Sequence, residues 1–71
     1  MKKLPKDIKI DYYVITKNDK VVAELPWFAD AVVVFRMVCD SLASREVSFF
    51  YAVDVEGKYH ELDRCYYIEE F

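Results

Sequence analysis

One segment of this chain, residues 27–44, carries helical periodicity, and two segments with strand alternation stand on each side of it. A single helix covers one face of a four-stranded sheet and no more, so this order governs both the fold and the surface left over. In the helical segment Phe28, Ala31, Val32, Phe35, Val38, Cys39 and Leu42 recur at steps of three and four. Val32 to Val34 alone would suggest a strand; the wider spacing decides for helix. Pro26 suits the first helical turn, where its missing N–H costs nothing. Asp30 and Arg45 suit the two ends of the dipole. Trp27 is expected to plug the core at the sheet end.

Residues 8–16 alternate as a strand, with Ile8, Ile10, Tyr12, Val14 and Thr16 on one face and Tyr13 and Ile15 on the other. Asn18-Asp19 is a two-residue hairpin turn, because both residues tolerate positive φ. Residues 20–25 return as a second strand with Val21, Ala23 and Leu25 inward. Residues 47–55 form the third strand, with Val47, Phe49, Tyr51, Val53 and Val55 on one face. Glu56-Gly57 turns the chain into a fourth strand, residues 58–68. Its register has two solutions. A two-residue turn puts His60, Leu62 and Tyr66 on the face of Val53; a three-residue turn with Gly57 as a bulge puts Tyr59, Cys65 and Tyr67 there. The first buries Leu62 and is preferred.

The fold class is therefore α+β: a ββαββ domain with a four-stranded antiparallel sheet in the order 2-1-3-4 and one helix packed on one face. Residues 1–71 make a single domain, with 1–7 as a frayed start.

The surplus surface points to function. Six tyrosines, five phenylalanines and one tryptophan are many for 71 residues. With Val14, Tyr12 and Val53 assigned to the helix, the uncovered face receives Tyr13, Ile15, Val22, Phe50, Tyr59 and Tyr67, rimmed by charges. An apolar centre with a charged rim is the anatomy of an interface. Val33 and Met37, one turn apart opposite the helix's core stripe, form a second candidate patch. A small chain with a thin core gains from burying such a face, most simply against a second copy. The expectation is a non-catalytic homodimer that binds a further protein partner. The alternative is a module using the same rings for single-stranded nucleic acid or a small ligand.

Charge argues against nucleic acid. The net charge is −3, and the basic residues concentrate in Lys2, Lys3, Lys6 and Lys9, while Asp54, Glu56, Glu61, Asp63, Glu69 and Glu70 make the last third acidic. No catalytic residue, cofactor or metal site is expected. His60 is the one histidine, Cys39 and Cys65 lie 26 positions apart on different elements, and a single glycine builds no phosphate loop. No apolar stretch is long enough to span a membrane. Two cysteines read as thiols in a reducing cytoplasm.

Overall fold

The computed structural model describes residues 3–67. Its elements are β1 (Ile10–Lys17), β2 (Lys20–Leu25), α1 (Phe28–Asp40), β3 (Val47–Asp54) and β4 (Tyr59–Tyr66). The strands form one sheet in the order β2-β1-β3-β4, with every neighbouring pair antiparallel, and α1 packs on one face. The expected continuation of β4 to Ile68 lies outside the described residues. Leu4, within the start expected to fray, packs against the core. No helix among the described residues is long and apolar enough to cross a membrane.

The hairpin turn follows from its residues: Asn18 and Asp19 take φ of 51° and 65°, the left-handed pair that matches the twist of the flanking strands. The helix is shorter than its periodicity. Trp27 is the N-cap and its carbonyl accepts the first helical bond, from the Ala31 amide at 3.0 Å. Pro26 thus precedes the helix instead of opening it. Trp27 is 68% exposed and is no core plug. Phe28, itself half exposed, lies nearer the core, its ring 5.6 Å from Tyr13 and 6.1 Å from Phe50. The helix stops at Asp40, so Arg45 falls beyond it and takes a left-handed φ of 69° instead.

The helix lies on the face opposite to the one the alternation suggested. Ile15, Ala31, Phe35, Phe50, Ala52 and Leu62 form the buried cluster, with Tyr13, Ala23 and Leu25 packed against it. Ile15 and Phe50, assigned from sequence to the uncovered face, are 0% exposed. The physical reason is size. A helix approaches a sheet closely where the contact residues are small, and Ala23 and Ala52 stand on this face while Tyr51 and Phe49 stand on the other. Phe50 then fills the one large space, 5.3 Å from the Phe35 ring.

Three bulges explain why simple alternation misled. The register shifts in β1 at Asp11, in β2 at Val22 and in β4 at Leu62. Each extra residue moves the side chains beyond it to the other face. Ile10 accordingly packs toward the core although Tyr12 does not, and Val21, expected inward, is half exposed. In β4 the turn is the three-residue one, with Asp54 and Lys58 flanking it and Gly57 at φ 86°. That is the register not preferred from sequence, and it sets Tyr59 beside Val53. Leu62 follows His60 onto the helix side, and the bulge then turns Cys65 to that side as well. Cys65 is bonded to Cys39, with their Cα atoms 6.1 Å apart. The two cysteines are therefore a disulfide and not the thiols on which the cytoplasmic assignment rested.

Candidate functional site

Cross-strand pairing lays out the open face in rows. Tyr12, Val53 and Tyr59 share the first row; Glu24, Val14, Tyr51 and Glu61 the second; Val21, Thr16, Phe49 and Arg64 the third; Val47 and Tyr66 the last. Among the described residues no secondary-structure element lies over them, yet Val14 is 0% and Val53 1% exposed. Neighbouring rings shield them. Phe49 stacks on Tyr51 at 5.8 Å, and Tyr59 meets Tyr51 edge-on at 5.4 Å. The valines form the floor and the aromatic residues the surface.

Polar contacts fix the rings. Tyr12 and Tyr59 share a side-chain hydrogen bond, which is the main cause raising the Tyr12 hydroxyl above its ordinary pKa. Burial, followed by the charges of Glu61 and Asp19, raises that of Tyr51. Arg64 lies over the Phe49 ring at 5.2 Å. Its guanidinium donates to both carboxylate oxygens of Glu61 at 2.8 Å and to the Tyr66 hydroxyl at 3.2 Å. Those contacts, the Tyr66 one first, hold it firmly charged. The face is thus aromatic at the centre, with Arg64 paired and acid on both flanks.

Of the residues singled out from sequence, Tyr59 stands on this face, half exposed. Tyr13, Ile15 and Phe50 lie under the helix. Val22 sits at the β2 bulge, Tyr67 comes just after β4, and both are half exposed. Val33 and Met37 are exposed on the outer side of the helix. Tyr12, Phe49, Tyr51, Arg64 and Tyr66 also stand on this face, although alternation sets Tyr12, Phe49 and Tyr51 beneath the helix. The small residues Ala23 and Ala52 were the signal that marked the opposite face as the covered one.

His60 has a partner the sequence did not name. Its Nε2 lies 2.8 Å from Asp54 Oδ2, while the Glu56 and Lys58 amides donate to Oδ1 at 2.8 and 3.0 Å. The His60 contact, and then the amides, hold the Asp54 carboxyl below the usual carboxylate range, although burial pushes the other way. Beside them lies an open cavity of about 350 Å3, lined by Asp7, Ile8, Lys9, Asp54, Val55, Glu56, Lys58 and His60. None of these carries a nucleophilic hydroxyl or thiol. Among the described residues no group of three or more His, Cys, Asp or Glu side chains is placed to hold a metal ion.

Asp54 therefore closes the hairpin. A lowered folded pKa contributes stability above the unfolded value, and that contribution is lost as pH falls through the folded one. Acid unfolding of the native chain should steepen below about pH 4, and Asp54→Asn should flatten this limb. Urea melts at a series of pH values measure it; an unchanged slope in the variant would remove Asp54 from the account.

No protein-family model, curated protein or solved structure matches this chain.

Proposed function

We propose that this chain is a small, non-catalytic interaction protein that pairs with a second copy through its open aromatic sheet face, the pair then binding another macromolecule. The observation that carries the reading is the set Tyr12, Phe49, Tyr51, Tyr59 and Tyr66 on a face that no described element covers. Tyrosine buries ring area while its hydroxyl stays hydrated, which suits a surface exposed in one state and covered in another. Four strands about 4.8 Å apart, β2 of six residues and the others of eight, span at most roughly 19 by 26 Å, a flat patch of about 500 Å2 that suits an interface at the small end of the usual range.

The sheet edges favour the face over strand addition. The outer strands β2 and β4 each carry a bulge, a device that discourages edge pairing. Face-to-face sheets align within about 30°, and a two-fold axis along the strands lays β4 of one copy over β2 of the other. Arg64 then comes over the strand that carries Glu24. Stacked rings suit nucleobases too, but the paired state of Arg64 and the nearby carboxylates leave a polyanion little to bind.

Sedimentation equilibrium at low and high salt tests the reading. The wild type should be a dimer at both, since its contact is aromatic and not ionic. Tyr59→Glu should weaken association roughly tenfold or more with an unchanged circular dichroism spectrum, and Met37→Asp should leave it intact. A monomer at every concentration overturns the proposal.

A further inference from the structure

The bridge and the bulge in β4 act on the same residues. From Tyr59 to Glu61 the strand pairs with β3 in one register, Tyr51 facing Glu61; beyond Leu62 it pairs in another, with Phe50 facing Asp63, Phe49 facing Arg64 and Ser48 facing Cys65. Removing the bulge carries the first register onward. Phe50 then faces Leu62, Phe49 faces Asp63, Ser48 faces Arg64 and Val47 faces Cys65. Leu62 stays on the helix side in both, while Arg64 takes the place beside buried Ser48 that Cys65 holds against the core. What changes is the open face, where Asp63, Cys65 and Tyr67 replace Arg64 and Tyr66.

We infer that the Cys39–Cys65 disulfide selects the bulged register and so switches the open face, making the proposed self-association sensitive to thiol redox state. The inference rests on that reading of the face. Three features support it. β4 is an edge strand with polar residues on both sides in its outer half, where register is weakly specified. The helix packs chiefly over β1, β2 and β3, so the bridge, with buried Leu62, is its tie to β4. The side-chain contacts of Arg64 with Glu61, Tyr66 and Phe49, which belong to the bulged register, are exposed and individually weak, and the Tyr67 amide adds one backbone bond to the Glu46 carbonyl at 3.3 Å.

The chemical step is two-electron exchange with a dithiol. The Sγ–Sγ bond breaks, two electrons and two protons convert Cys39 and Cys65 to thiols, and the reductant closes to its cyclic disulfide.

Cross-strand nuclear Overhauser contacts read the register directly. The oxidised protein should pair Ser48 with Cys65 and Phe49 with Arg64. Dithiothreitol-reduced protein, and Cys39→Ala/Cys65→Ala, should pair Ser48 with residue 64 and Phe49 with Asp63. Unchanged pairs after reduction overturn the inference. Where loss of the bridge unfolds the chain, trimethylamine oxide restores compactness and the contacts are read there; a chain still unfolded under those conditions also overturns it. Sedimentation of the two forms gives the second readout, with the reduced form expected to associate roughly tenfold more weakly because Arg64 leaves the face and Asp63 enters it. Equal association in both forms overturns the coupling. Absence of association in both overturns the self-association reading alone, while the register contacts still decide the switch.

Discussion

Replacing Phe50 by alanine is expected to lower the unfolding free energy by about 3–5 kcal/mol, the range for truncating a buried phenylalanine. The ring is fully buried and touches three others: Tyr13 at 6.0 Å, Phe28 at 6.1 Å and Phe35 at 5.3 Å. Its removal strips contacts from both the sheet and the helix, and neither can collapse into the gap without breaking strand register. Denaturant melts measure the loss. The outcome also separates the two faces. Were Phe50 a contact between copies, the substitution would shift association and leave the monomer's stability within about 1 kcal/mol.

Loss of the disulfide is the second large effect. The bridge closes a loop between residues 26 positions apart, for which chain entropy gives about 3.5 kcal/mol. Small domains hold about 5 kcal/mol in total at the low end, so reduction should take most of it. The expected melting temperature falls by roughly 14–28 °C, at about 4–8 °C per kcal/mol for a domain of this length. The comparison is between oxidised protein, protein in dithiothreitol and Cys39→Ala/Cys65→Ala. The last two should coincide. A shift below about 1 kcal/mol would mean that the unfolded chain is already compact around the helix.

The fold was legible where local chemistry is decisive. Asn18-Asp19 has one good turn available to it, the helical spacing of Phe28, Ala31 and Phe35 is unambiguous, and the connections leave one simple strand order. The choice of face was not legible in the alternation alone. Tyr12, Val14, Phe49 and Tyr51 are as apolar as Tyr13, Ile15 and Phe50, so alternation identifies two faces without ranking them. The bulges at Asp11, Val22 and Leu62 then spoil any attempt to extend one face along a strand. The Asp54–His60 pair was hidden by the same uncertainty, since it needs a three-residue turn. One signal was present: Asp54 with Gly57 three positions later is the residue pattern of a type I turn. The general expectation of an aromatic, charge-rimmed face opposite the helix carries over to the open face, with Tyr59 kept and most other members exchanged.

The rows of the open face are assembled from both ends of the chain. Tyr12, Val14 and Thr16 come from the first hairpin, and Val53, Tyr51 and Phe49 from the second, with the helix between them in sequence. Each hairpin closes within about 1–10 μs once its residues are available. During synthesis, however, the end of β3 emerges after the end of β2 by roughly 1.5–6 s at ~5–20 residues per second. For that interval neither half carries the complete ring surface. If copies pair as proposed, a nascent chain therefore cannot recruit a neighbour through it until the helix has brought the two hairpins together.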